Sequence, residues 1–131
     1  MIGLDTNVLV RYIMQDDAKQ APLATRLVES LSAEAPGFLP LVAVVELAWV
    51  LSSAYDLNRA QLVEVFEGVL RTKELVIERA EVVWKALRAY QSVKADFADC
   101  LIAHSAASAG CEKTMTFDRG AAKSAGMTLI A

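Results

Sequence analysis

The chain has 131 residues, 55% of them hydrophobic and 22% charged, with a formal net charge of −3. That length suits one domain spanning 1–131, and the apolar content without any low-complexity tract excludes a disordered chain. The acidic balance argues against a simple basic nucleic-acid binder, and a mean hydropathy of +0.36 hints at a buried partner surface in addition to a core.

Met1 to Leu4 reads as a short buried strand. Thr6 to Met14 carries apolar residues at 8, 9, 10, 12, 13 and 14, the pattern of a mostly buried helix. Asp17 to Leu31 is amphipathic, with Leu23, Leu27, Val28 and Leu31 on one face, and Pro22 delays or kinks its start. Ala35-Pro36-Gly37 is a break, and Phe38-Leu39 a short strand. Leu41 to Tyr55 has helical length, with Pro40 at its start. Asn58 caps a helix to about Arg71 that turns Leu62, Val65, Phe66, Val69 and Leu70 inward. Leu75 to Ile77 is a strand. Glu78 to about Val93 is a helix with Val82, Val83, Ala86, Leu87 and Tyr90 on one face. Asp96 to Ala109 is a helix closed by Gly110. Thr114 to Phe117 and Met127 to Ala131 are strands, joined by a short helix that ends at Gly126.

Short apolar strands alternating with helices indicate a mostly parallel sheet of about five strands covered by helices on both sides, an α/β/α sandwich. Such sheets bind ligands at the carboxyl ends of their strands. Asp5 and Asp118 end two strands, Asp99 lies in the first turn of its helix, and Glu46 lies in the second turn of another. All four are thereby expected at one sheet edge.

Each acid has a plain structural role to set against a chemical one. Asp5, Asp96 and Asp118 are well placed as helix N-caps, and Asp99 suits the first turn of its helix. Glu46 is different, because it is the only charged residue between Glu34 and Asp56. Capping does not explain an acid inside a helix, and a carboxylate is rarely buried without a partner. Four or five carboxylates with no histidine and no cysteine pair form a donor set for a hard cation such as Mg²⁺ or Mn²⁺, not for zinc. Removing those five charges from the count leaves a positive remainder, so the net charge does not exclude a polyanionic substrate.

Ile2-Gly-Leu-Asp5-Thr6-Asn7 at the start, Glu46 in an apolar helix, Asp99-Cys-Leu-Ile-Ala103 and Thr116-Phe-Asp118 together resemble the PIN domain, in particular VapC-type toxin ribonucleases. The resemblance spans the chain. It implies Mg²⁺- or Mn²⁺-dependent RNA cleavage, a homodimer and a cognate VapB-like antitoxin. It makes Asp5, Glu46, Asp99 and Asp118 the catalytic metal-site acids, with Asp96 either supporting the site or capping its helix. Thr6 and Asn7 would support Asp5, and Thr116 would hydrogen-bond near the site. Leu41 departs from the pattern, because relatives often place a Ser or Thr cap near the start of that helix.

Arg11 and Arg119 are candidate phosphate contacts, each equally well explained as a solvated charge, and Lys94 and Lys123 are weaker ones. His104, the only histidine, reads as a packing residue off the Asp99 face. Trp49 and Trp84 read as core or dimer-interface residues. Cys100 and Cys111 are spaced too widely for a CxxC pair and read as free buried thiols, consistent with a cytoplasmic location. Asp5 interrupts the first apolar run, so no secretory leader is expected. Ala35 to Tyr55 is long enough to span a bilayer but contains Pro36, Gly37, Pro40 and Glu46, so no membrane segment is expected. Two rivals remain. A haloacid-dehalogenase-like phosphatase would also place Asp5 after the first strand, but wants a second acid where Asn7 stands. A non-catalytic module would use an acidic cleft only to receive a partner's arginine.

Overall fold

A computed structural model describes residues 1–131, with five strands and seven helices in the order β1(Ile2–Gly3) α1(Thr6–Met14) α2(Gln20–Glu29) β2(Gly37–Leu39) α3(Leu41–Ser53) α4(Arg59–Arg71) β3(Leu75–Ile77) α5(Ala80–Ser92) α6(Phe97–Ser108) β4(Met115–Thr116) α7(Arg119–Ser124) β5(Thr128–Leu129). The fold is the expected mixed α/β type, and every strand pair is parallel. The chain forms two compact units, Met1–Glu78 and Arg79–Ala131.

The first unit holds a three-stranded sheet in the order β1-β2-β3, and the second holds a two-stranded sheet of β4 and β5. The five expected strands therefore exist but are divided three and two, not joined in one sheet. Each pairs over only two or three residues, so the ladders are short. Ile2 is 47% exposed and Gly3 is exposed too, which corrects the reading of the first strand as buried.

In the first unit α1 packs on α2 and α3, and α3 on α4. Leu9, Leu39, Val44, Leu47, Leu51 and Phe66 are fully buried there. Burying side chains of this size contributes about 1.5–3 kcal/mol each. Pro22 occupies the first turn of α2, where its missing N–H is not needed. The buried side of α2 is Ala21, Ala24 and Val28, whereas Leu23 is 58% exposed. The α2 helix lacks a side-chain bond from its own cap residue, and Asp17 substitutes by accepting from the backbone N–H groups of Lys19 and Gln20. Those two bonds hold the Asp17 carboxyl below its ordinary range. The α4 helix opens with a full capping box, in which Asn58 accepts from the Gln61 N–H and Gln61 Oε1 accepts from the Asn58 N–H. Its buried side is Leu62, Val63, Phe66 and Val69, with Val65 and Leu70 only half-buried.

In the second unit α5 packs on α6, and α7 on β4 and β5. The buried stripe of α5 is Val82, Val83, Ala86, Leu87 and Tyr90, the five residues its spacing predicts. Tyr90 meets Phe97 edge to face, with ring centroids 5.6 Å apart. The α6 helix stops where Gly110 takes φ +94°, a conformation that strains any residue with a Cβ. Cys100 is buried as expected, but Cys111 is exposed, because it lies beyond that stop. No helix is long and apolar enough to cross a membrane.

Candidate functional site

Asp5 is the N-cap of α1, and its Oδ1 accepts from the Thr6 N–H at 2.7 Å. The residue is extended while the helix starts behind it, so the carboxylate is carried at the junction of β1 and α1. Thr6 is buried and Asn7 exposed. Glu46 is carried by α3, and it is exposed. That corrects the inference drawn from its apolar surroundings. The run looks uniformly hydrophobic because Val42, Val45 and Trp49, on the outward side of α3, are apolar as well, at 76%, 36% and 68% exposure. Trp49 is therefore not a core residue.

Asp5 and Glu46 line one open cleft of about 480 Å³, together with Thr6, Asn7, Arg11 and Tyr55. The Leu41 N–H at the start of α3 donates to Glu78 Oε1 at 2.7 Å. A carboxylate from the end of β3 thus performs the capping that neither Pro40 nor Leu41 can supply.

The other acids lie in the second unit. Asp96 is the N-cap of α6, and its Oδ1 accepts from the Asp99 N–H at 2.8 Å. Burial, then repulsion from Asp96 and Asp118, and finally a hydrogen bond with the Asp96 side chain hold the Asp99 carboxyl above its ordinary range. Asp118 is the N-cap of α7, where Oδ1 accepts from the Gly120 N–H at 2.7 Å and the Ala121 N–H at 3.1 Å. Its own N–H donates to Thr116 Oγ1 at 3.0 Å. Gly120 matters to this arrangement, because a Cβ there would stand 3.1 Å from Asp118 Oδ1. Arg119 opens α7 and is exposed. His104 is half-buried in α6.

The structure thus brings Asp5 together with Glu46 and Arg11, and Asp99 together with Asp96 and Asp118. No three His, Cys, Asp or Glu side chains are gathered closely enough to hold a metal ion. The donors are carboxylate oxygens throughout, and Asp99 shows the mutual repulsion that a hard cation relieves, so the chemistry of the set suits Mg²⁺ or Mn²⁺. Sequence reading missed Tyr55, Asp16 and Gln20, which surround Arg11. Their only sequence signal is polarity flanking the cleft helices.

Parallel strands, with Asp5 and Asp118 capping the helices that follow β1 and β4, define an α/β protein with acids at strand-to-helix junctions. A sequence model of the PIN domain matches residues 2–126, and the chain belongs to the PIN domain family. It is 26% identical over 117 residues to the VapC ribonuclease of Aquifex aeolicus (strain VF5), a match covering 88% of this chain and 86% of that protein.

Proposed function

We propose that the chain is a metal-dependent endoribonuclease of the VapC kind, the toxin of a toxin–antitoxin module, acting as one nuclease domain over 1–131. The observation that carries this reading is the family match over residues 2–126, which includes Asp5, Glu46, Asp99 and Asp118. The similarity to a VapC ribonuclease supports RNA as the substrate and a VapB-like antitoxin as partner. A homodimer and a cytoplasmic location complete the proposal.

In this reading Asp5, Glu46, Asp99 and Asp118 hold Mg²⁺ or Mn²⁺, and Asp96 positions Asp99 by capping its helix. A bound divalent cation supplies Lewis acidity and makes water acidic enough to act as a nucleophile on a phosphodiester. Asp5 and Asp118 each commit Oδ1 to backbone N–H groups, which fixes the carboxyl group and leaves Oδ2 for a ligand. Thr116 restrains the Asp118 backbone. Thr6 and Asn7 support Asp5 from the first turn of α1, and Arg11 and Arg119 contact the RNA backbone.

The test is cleavage of total cellular RNA by the purified protein with Mg²⁺ or Mn²⁺, with end mapping. Discrete cuts that vanish with EDTA and in Asp5→Asn support the reading. Cuts that persist in both would overturn it.

A further inference from the structure

We propose that Arg11 is the phosphate-binding fork of the Asp5–Glu46 cleft, and that Gln20, Tyr55 and Asp16 position it against one phosphodiester of a single-stranded RNA. This rests on the ribonuclease reading and extends it from the acids to the residues that seat the substrate.

Arg11 lies on α1 and lines the same cleft as Asp5 and Glu46. Its guanidinium is held from three sides. Nε donates to Gln20 Oε1 at 2.7 Å, at the start of α2. Nη1 donates to the Tyr55 hydroxyl at 3.3 Å, just past α3, and stands 3.8 Å from Asp16 Oδ1. The Tyr55 hydroxyl passes its own proton toward Asp16, donating to Oδ2 at 2.9 Å. The contact with Asp16 holds the Tyr55 hydroxyl above its ordinary pKa, so it stays protonated as a donor.

An exposed arginine ordinarily samples many rotamers, and ordering it on binding weakens the complex. Here the ordering is built into the fold. The three contacts use Nε and one edge of Nη1, and Nη2 keeps both N–H donors without a partner in the chain. The N–H groups of Nη2, held in a fixed orientation, are charge-assisted donors suited to phosphate oxygens. Arg11 is also the only cation lining that cleft. A polyanion approaching Asp5 and Glu46 therefore meets one positive group whose direction is already set.

The competing role is purely structural, with Arg11 tying α1 to α2 and to the end of α3. The salt dependence of RNA binding separates the two. Each phosphate contact on a single strand contributes about 0.7 to the slope of log K against log salt. A fluorescein-labelled single-stranded oligoribonucleotide is titrated by anisotropy in Mg²⁺, with Asp99→Asn as the background to prevent cleavage. Adding Arg11→Gln should weaken binding about tenfold at low salt and lower the slope by about 0.7. Arg11→Lys keeps the charge and the slope but does not restore the affinity, because the fork is lost. Tyr55→Phe removes only the hydroxyl. It should keep the slope while weakening binding about threefold, and in the cleavage-competent protein it should raise KM more than it lowers kcat.

A slope unchanged in Arg11→Gln, or full affinity in Arg11→Lys, would overturn the assignment. Should Arg11→Gln fail to fold, Tyr55→Phe decides, and unchanged affinity and KM there would overturn the positioning role. Arg11-dependent binding without any cleavage by the wild type would leave the fork standing and sink the ribonuclease reading. Cleavage with an Arg11-independent slope would do the reverse.

Discussion

Asp96 and Asp99 are joined by a 2.8 Å hydrogen bond from the Asp99 N–H to Asp96 Oδ1, so one acid builds the helical turn that carries the other. The same proximity sets two negative charges against each other. Capping and electrostatic tension are therefore properties of one contact.

Asp99→Asn should relieve that tension. The folded-state pKa of Asp99 is raised above its model value of 3.8, so the folded chain binds the proton more tightly than the unfolded chain. Stability is then lost as pH rises from 3.8 through the raised folded value. The variant should be more stable than the wild type at neutral pH, by less than about 1 kcal/mol given solvent screening. The difference should vanish well below 3.8, where the wild-type carboxyl is protonated in both states. Urea denaturation at neutral and acid pH measures this, and RNA cleavage should be lost in the same variant.

Asp118 allows capping and chemistry to be separated. Asn retains the side-chain oxygen that accepts from Gly120 and Ala121, whereas Ala removes it. Asp118→Ala should cost about 0.5–2 kcal/mol, the usual range for a lost N-cap. Asp118→Asn should keep the stability and lose the activity. A strong destabilisation by Asn would show that the charge is needed for the fold.

Metal should stabilise the protein by mass action. At about 100 times its dissociation constant, Mn²⁺ adds about 2.7 kcal/mol if it binds only the folded chain. A thermal melt should move up with Mn²⁺, return with EDTA, and move much less in Asp99→Asn. Equal shifts in wild type and variant would remove Asp99 from the ligand set.

Trp49 is 68% exposed, whereas Trp84 is half-buried. Trp49→Ser in the monomeric chain should change stability by no more than about 0.5 kcal/mol. It should also abolish most of the acrylamide-quenchable fluorescence. Little quenching in the wild type would mean that another surface covers the outer side of α3.

The helices were legible because their signals are local. Asn58 with Gln61 announces a capping box, and the five inward residues of α5 follow from spacing alone. The acids were legible as caps and strand ends for the same reason. Sheet membership was not, because pairing joins residues far apart, and strands of two or three residues carry too little pattern to state their neighbours. Glu46 misled because hydrophobicity records composition and not direction. The residues flanking it on the outward side of α3 are apolar and exposed. The setting of Arg11 was illegible too, since it is made by Gln20 and Tyr55, which lie nine and forty-four positions away.

The missing Cβ of Gly120 makes the geometry of Asp118 depend on its neighbour. An alanine at position 120 would stand 3.1 Å from the carboxylate oxygen, which would have to give by a few tenths of an ångström while every acid in the chain remained intact. The presence of the four acids is consequently an incomplete record of how the Asp118 carboxylate is placed. A single methyl group reaches that placement while leaving every carboxylate in the sequence unchanged.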